Sequence, residues 1–466
     1  MTQRTEPAER AAGRLARRPA PGEPPTVTRP RADRLLAEAP PRRRAPDAQA
    51  RGRAIGGAAP GGPSTTDRAT DPTVAASLGR LRASASLEAT AAAIVAEVAA
   101  TLRLPAVAIE EIVGAGASRR VVPLAVLTDG EAPIQVGRPI PAERGRYLIE
   151  RAGRGPWVDD LTVGSDSAFL AAWRAAGLVA AAYLPIGDPG APSAILVAGA
   201  PDRDPDRLGR LLPDLLEYTA VALSLLGPRL AARRATDDLR RDIERIIRGG
   251  RFRPVFQPIF DLDRAIAVGH EALTRFADER PPDLVFQQAA GVGLGLELEI
   301  ATLRKILEVA GRLPFGALLS VNASPELITS GRLETVLPPW RGRIVLEVTE
   351  HDLVADYPAV RAAMAGLAPV RLAVDDAGAG FASLRHIIEL EPDFVKLDMG
   401  LVRGIDGDPA RQGLVAGMAY FAIRTDRTLI AEGIETAAER DMLRSLGIRL
   451  GQGFLLGRPA ALGRRG

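Results

Sequence analysis

The chain has 466 residues, 46% of them hydrophobic and 25% charged, an ordinary globular composition with room for about three domain-sized pieces. The formal net charge of +3 is too small to point to nucleic acid. The absence of cysteine excludes disulfides, thiolate metal sites and cysteine nucleophiles. No apolar run approaches the length of a membrane helix and none follows the N-terminal arginines, so neither a membrane span nor a secretory signal is expected and the cytoplasm is the expected location.

Residues 1–75 are rich in Ala, Arg, Pro and Gly, with a basic cluster at Arg42, Arg43 and Arg44. Such a segment buries too little apolar surface to offset its ordering entropy and is expected to be disordered. From Ala75 the pattern changes. Leu78, Leu81, Leu87, Ala91, Ile94, Val98 and Leu102 recur at helical spacing, which predicts one helix over 77–102. Strands are predicted over 106–112, 121–127, 178–186 and 194–198, and an apolar helix over 208–226. Gly227 and Pro228 predict a break in that helix. A second helix is predicted over 229–248, with Leu239, Ile243 and Ile246 as a partner-facing stripe suited to a dimer seam. Gly249 and Gly250 close it. Trp157 and Trp173 are candidates for core packing or for the lining of a ligand pocket.

Beyond Phe252, strands and helices alternate to the end. Strands are predicted over 254–260, 267–276, 317–323, 343–349, 370–375, 393–397, 428–432 and 449–454, with helical patterns such as 296–312, 382–389 and 410–424 between them. This order predicts an α/β fold, a (β/α)₈ TIM-like barrel whose first, hairpin-like strand pair is irregular. Polar residues interrupt the apolar strands near their ends: Gln257, Glu271, Asn322, Glu347, Glu350, Asp375, Asp376, Lys396, Glu432, Glu435 and Gln452. A barrel gathers such strand ends on one face. So many carboxylates with so few cations imply bound metal, and oxygen-only ligation favours Mg²⁺ or Mn²⁺ over Zn²⁺. Arginine serves nearly everywhere as the cation. Lysine occurs only at Lys305 and Lys396 and asparagine only at Asn322, so Lys396 beside the carboxylates is a marked choice of a compact, tunable charge.

The strings FQPIFDL, GHEALTRF, VNASPE, LEVTE, DDAGAGFASL, DFVKLD, AEGIE and GQGFLLGRP, running from Phe252 to Pro459, resemble in order the motifs of EAL-domain cyclic di-GMP phosphodiesterases. The pattern of 76–228 resembles a GAF domain, an α+β sensory module. The organisation these resemblances imply is a tail (1–75), a GAF-like domain (76–228), a connecting helix (229–250) and an EAL domain (251–466). The GAF-like part holds no histidine or cysteine to anchor haem or a bilin, which leaves a noncovalent small ligand or signal.

For the EAL part the resemblance implies hydrolysis of cyclic di-GMP to linear pGpG with two divalent cations, and a homodimer through the EAL or GAF-like domains. It implies that Glu271, Asn322, Glu347 and Asp375 hold one metal, and that Asp375 is shared with a second beside Asp376 and Glu432. Lys396 matches the lysine that holds and helps deprotonate the attacking water. Gln257, Arg275, Glu435 and Gln452 match substrate positions, and Glu350 matches the glutamate that anchors the loop after the paired aspartates. Ala377 and Ala379 depart from the family loop, which puts loop-based regulation in doubt. The competing expectation is a catalytically silent EAL domain that acts as a cyclic di-GMP receptor; an unrelated TIM-barrel enzyme leaves the motif order unexplained.

Overall fold

The N-terminal half owes its first elements to a helix cap. Where the apolar spacing predicts one helix over 77–102, there are two: α1 (Pro72–Leu78) and α2 (Leu87–Leu102). Ser86 accepts a hydrogen bond from the backbone N–H of Ala89 (3.0 Å) and Glu88 lies in the first turn, so α2 starts afresh at a capped end. Leu81, in the non-helical link, is still buried, which is why periodicity alone ran through the gap. The computed structural model describes residues 72–462 except 131–133, 163–167, 189, 202–204, 315, 338–342, 350–353 and 379–380. Most of the tail expected to be disordered therefore lies outside the described residues, as do Glu350 and Ala379.

A five-stranded antiparallel sheet follows, built from β1 (Ala106–Val113), β2 (Arg120–Thr128), β3 (Trp157–Asp160), β4 (Ala180–Asp188) and β5 (Ala191–Ala200), in the order β2-β1-β5-β4-β3. β3 was not legible in the sequence, because its four residues WVDD are too short for a pattern. Apolar residues from both faces of the sheet are buried. Ile94, Leu215, Tyr218 and Leu226 pack on one face. Leu148 of α3 (Ala142–Ala152) and Leu170 and Trp173 of α4 (Ala168–Ala175) pack on the other, with Trp157.

The predicted break at Gly227–Pro228 is corrected: α5 runs unbroken from Pro205 to Gly249, 45 residues, with Pro213 and Pro228 inside it. An interior proline loses one backbone hydrogen bond and crowds the preceding turn. Packing outweighs this here, because Leu226 and Leu230 on either side are fully buried in the core under the sheet. Arg233, one turn on, bridges Glu88 (2.7 Å) and Glu111 (3.0 Å). Pro228→Ala is therefore expected to raise the unfolding free energy by up to about 3 kcal/mol in urea denaturation; a neutral result would mean the chain is not helical there.

The stripe expected at a dimer seam is also corrected. Ile243 and Ile246 are buried within this chain, with Phe252, Phe276, Val285 and Leu298 of the C-terminal half, and Leu239 packs against them. Asp242 pairs with Arg280 (2.7 Å) and Arg240 donates to the Val292 carbonyl (2.8 Å) at the same seam.

The C-terminal half is a closed eight-stranded barrel, as expected. In chain order its strands are β6 (Phe252–Asp261), β7 (Ile266–Phe276), β8 (Leu318–Asn322), β9 (Arg343–Val348), β10 (Arg371–Ala377), β11 (Phe394–Leu397), β12 (Thr428–Ala431) and β13 (Leu450–Gly451). Helices α6 (Pro282–Gly291) and α7 (Gly295–Ala310) precede β8; α8 (Pro325–Thr329) and α9 (Leu333–Val336) precede β9; α10 (Tyr357–Gly366) and α11 (Phe381–Leu390) flank β10; α12 (Met399–Val402), α13 (Pro409–Thr425) and α14 (Ala437–Ser445) complete the ring. The irregular first strand is real: β6 pairs antiparallel with both β7 and β13, while the other neighbours are parallel. The predicted strand 449–454 shrinks to β13, two residues long. Gly453 (φ 158°) lies against the Ile434 backbone, where any Cβ would fall 2.2 Å from its nitrogen, and this close approach ends the strand.

Two apolar layers alternate along the strands. Leu319, Leu346, Val374, Val395 and Leu429 face outward into the core shared with the helices. Ile259, Leu318, Val345, Ala373, Phe394 and Ile430 form a separate cluster that closes the barrel's interior. That inner cluster is the floor on which the site stands.

Candidate active site

The next inward position along each strand is polar. Leu318 is followed on the same face by Ser320, Val345 by Glu347, Ala373 by Asp375, Phe394 by Lys396 and Ile430 by Glu432. β6 runs the other way, so Gln257 takes the corresponding place before Ile259, and it lies opposite Glu271 of β7. The sequence order and the closed barrel thus turn scattered polar residues into one ring over an apolar floor.

Lys396 is at the centre, completely buried. Its Nζ lies 2.8 Å from Glu432 Oε1, 2.9 Å from Asp375 Oδ2, 3.1 Å from Glu347 Oε1 and 3.6 Å from Glu271 Oε1. Burial works against its charge, but the carboxylates together outweigh it and hold its pKa well above the usual lysine value. Glu347 is fully enclosed, and burial pushes its pKa well up despite Lys396, with Glu271 and Asp375 adding to the rise. Burial likewise raises Glu432 to about 8 against the pull of Lys396. Gln452 Nε2 ties Glu271 (2.5 Å) to Glu432 (2.8 Å).

Adjacent residues on a regular strand face opposite ways, so Asp375 and Asp376 should not share a site. They do because β10 carries a bulge. Val374 pairs with Val395 and Ala377 with Leu397, leaving two aspartates opposite Lys396 alone. Asp376 adopts φ 55°, a left-handed backbone that few non-glycine residues take, and its N–H donates to Asp375 Oδ1 (2.8 Å).

Two groups of carboxylates result, Glu271–Glu347–Asp375 and Asp375–Asp376–Glu432. Within each group, one oxygen from every member lies within 4.8 Å of the others. Asp375 belongs to both. The donors are all hard oxygens, and Glu347 Oε2 is buried with no hydrogen-bond partner among the described residues. One lysine cannot neutralise five carboxylates. This chemistry fits two divalent cations of the Mg²⁺ type. Asn322 ends β8 opposite Glu347, exposed at the mouth beside the first group.

A cavity of about 610 Å³, counting its open mouth, adjoins the ring and is lined by Gln257, Glu271, Arg403, Glu432, Glu435 and Gln452, among others. Gln257 donates to the Gly457 carbonyl (3.2 Å). Glu435 pairs with Arg403 (2.5 Å) on the rim. Arg275 lies further along β7, half-buried and bonded to the Thr274 carbonyl (2.9 Å), and is not among the residues lining this cavity. Two residues of the site were not foreseen. Ser320, fully buried, hydrogen-bonds Glu347; its signal was a lone hydroxyl on the inner face of β8. Arg403 gave no sequence signal, because arginine is common in this chain.

A second buried acid lies in the N-terminal half. Glu110 of β1 is enclosed by apolar walls, and burial raises its pKa from 4.5 to about 7, opposed by Arg144. An acid whose pKa is raised by folding contributes stability that is complete below its unfolded value and fades as pH rises through its folded value. Stability should therefore fall by about 3 kcal/mol between pH 4.5 and pH 8 on this account. Glu110→Gln should flatten that dependence in denaturation curves taken across the window; an unchanged slope would place the proton elsewhere.

Residues 237–459 match the family model described as the EAL domain. Curated proteins similar to this part of the chain include named cyclic di-GMP phosphodiesterases. RocR of Pseudomonas aeruginosa is 28% identical over 240 residues, 47% of this chain and 60% of that one. PdeL of Escherichia coli is 26% identical over 225 residues, 45% of this chain and 62% of that one. The chain thus spans about three fifths of the length of these two relatives. Among solved structures, the calcium and cyclic di-GMP complex of Klebsiella pneumoniae BlrP1 is 29% identical, with a TM-score of 0.42, over 46% of this chain and 56% of that one. No helix among the described residues is long and apolar enough to cross a membrane.

Proposed function

We propose that the barrel hydrolyses cyclic di-GMP to linear pGpG with two Mg²⁺ or Mn²⁺ ions. The observation that carries this reading is the pair of carboxylate groups sharing Asp375 around buried Lys396, inside a stretch that matches the EAL domain. Glu271, Asn322, Glu347 and Asp375 would hold one ion, and Asp375, Asp376 and Glu432 the other. Such ions, when bound, lower the pKa of a water and offset charge on the phosphoryl oxygens. In the reaction a water oxygen bonds to one phosphorus, the P–O3′ bond breaks, and the ring opens to a 5′-phosphate. Lys396, kept as an ammonium by the carboxylates around it, holds and orients that water from below, and a carboxylate of the ring takes up the proton the water loses. Gln257, Glu435 and Gln452 contact the dinucleotide along the cavity, and Arg275 meets a phosphate at its outer end. Glu350 anchors the loop that follows the paired aspartates.

In the same reading, 76–228 is a GAF-like sensory domain, 229–250 connects it to the catalytic domain at 251–466, and the protein works in the cytoplasm as a homodimer. The connection has a physical route, since α5 is clamped to β1 by Arg233 and to the barrel by Asp242. The test is pGpG formation by the full chain against metal identity. Mg²⁺ and Mn²⁺ should support turnover. Ca²⁺ should support binding without product, because it prefers more ligands at longer distances. Cyclic di-GMP binding with no pGpG in Mg²⁺ or Mn²⁺ would replace the enzyme with a receptor.

A further inference from the structure

Asn322 stands where the barrel wall gives out. β8 ends with it, opposite Glu347, and the chain then turns out of the sheet into α8. Backbone bonds fix this turn. The Ala323 N–H donates to the Glu347 carbonyl (2.9 Å) and extends the ladder by one residue. The Ser324 N–H lies beyond the ladder and donates instead to a side chain, Glu299 Oε2 of α7 (3.0 Å). Ser324 also caps α8, its Oγ accepting from the Leu327 N–H (3.1 Å), and Leu327 and Ile328 are buried in the barrel core. Asn322 itself is exposed at the mouth, so the backbone of this turn, rather than packing, sets where its amide oxygen lies. The residue before Glu299 serves a different neighbour. Leu298 is fully buried in the cluster it forms with Ile243 and Ile246 of α5. Arg240 of α5 donates to the Val292 carbonyl (2.8 Å), in the link between α6 and α7, and the Leu298 N–H donates to the Leu294 carbonyl (3.0 Å) just after it. The start of α7 is thus held by α5, while Leu303, Ile306 and Ala310 further along belong to the same core as Ala323 and Leu327.

We propose that Glu299 is a positioning residue for Asn322, and that through it the docking of α5 sets the strength of the first metal group. An amide oxygen carries no charge, so its worth to a divalent cation depends on being held at the right place. A backbone N–H bonded to a carboxylate is held about twice as strongly as one bonded to a neutral acceptor, which makes Glu299 an effective pin. That bond also weakens steeply with length and angle, so a small shift of α7 releases the turn. Because Leu298 and Glu299 are adjacent on one rigid helix, a change in how Ile243 and Ile246 seat against Leu298 reaches Ser324 directly. The barrel thereby gains a route from the connecting helix to a ligand of the site that bypasses the loop after the paired aspartates. The inference deepens the reading of the barrel given above and rests on Asn322 as a metal ligand.

The experiment reads amide hydrogen exchange at Asn322–Ser324 in the metal-free full chain, and Mn²⁺ binding to the same proteins by calorimetry. Glu299→Ala should speed exchange of the Ser324 amide about tenfold and weaken Mn²⁺ at one of its two positions by about as much, the loss of one hydrogen bond to a charged group. Glu299→Gln keeps an acceptor oxygen and should recover most of both. In an Asn322→Ala background, Glu299→Ala should leave Mn²⁺ affinity within about twofold, because the ligand it positions is gone. Ile246→Val loosens the α5 cluster by one methylene and should speed Ser324 exchange about twofold, but not when Glu299 is already alanine. Circular dichroism verifies that each variant is folded. Unmoved Ser324 exchange or unmoved Mn²⁺ affinity in folded Glu299→Ala would overturn the proposal, and so would equal loss of Mn²⁺ affinity with and without Asn322. An Ile246→Val effect of the same size with and without Glu299 would cut the link to α5. A wild-type chain that binds no Mn²⁺ would overturn the metal reading of the barrel and this proposal with it, whereas bound Mn²⁺ with unmoved variants overturns this proposal alone.

Discussion

Asp375→Asn is expected to reduce pGpG formation by about a thousandfold or more, the largest effect of any single substitution in the chain. Asp375 is the one side chain common to both carboxylate groups, and it also holds Lys396 at 2.9 Å and the Asp376 N–H at 2.8 Å. Asparagine keeps the shape but offers one neutral oxygen, so both cation positions lose charge together. Glu271→Gln, which belongs to one group only, should be milder at high Mn²⁺ and show a steeper requirement for the metal. The measurement is turnover against Mn²⁺ concentration for wild type and both variants. Full activity in Asp375→Asn would show that the reacting centre lies elsewhere. Equal losses in the two variants at saturating metal would argue that Asp375 is not shared.

Lys396→Met is expected to act on stability and on rate, in ways that metal separates. Among the described residues the lysine is the only cation within 4 Å of these four carboxylates, and it is wholly buried. Removing it leaves negative charge uncompensated in a closed interior, a loss of about 3 to 5 kcal/mol when one partner of a buried pair is deleted. Without divalent metal the variant should unfold earlier in urea. Mn²⁺ should restore part of that stability by binding the folded state alone. Turnover should not return with it, remaining about a hundredfold or more below wild type, because the ammonium is proposed to act on the water. Lys396→Arg keeps the charge but forces a larger planar group over Ile430 and Phe394, and should not rescue the rate. Recovery of both stability and rate by Mn²⁺ would reduce Lys396 to a structural counter-ion.

The failures of sequence reading have specific physical sources. The break placed at Pro228 weighed a local penalty alone, whereas Leu226 and Leu230 are buried on either side of it. The single helix placed over 77–102 followed apolar spacing through a segment where Leu81 is buried without being helical. The stripe of Leu239, Ile243 and Ile246 was correctly apolar, but apolarity does not say which surface covers it, and here the same chain does.

By itself the sequence determined the alternation of apolar strands and helices, and therefore the barrel, because periodicity and breaker residues act locally. It also determined which polar residues stand near the strand ends, and that carboxylates outnumber cations among them. Tertiary structure decided how those residues meet. Closure of eight strands, with β6 reversed, set Gln257 beside Glu271 and put Ser320, Glu347, Asp375, Lys396 and Glu432 one layer above the apolar floor. The bulge in β10 brought Asp376 round to join Asp375, against the alternation that the bare strand pattern implies. Ser320 became part of the site only because the adjacent strand β9 brings Glu347 within hydrogen-bond reach. Periodicity belongs to a segment, but burial and pairing depend on what the rest of the chain brings to the same place.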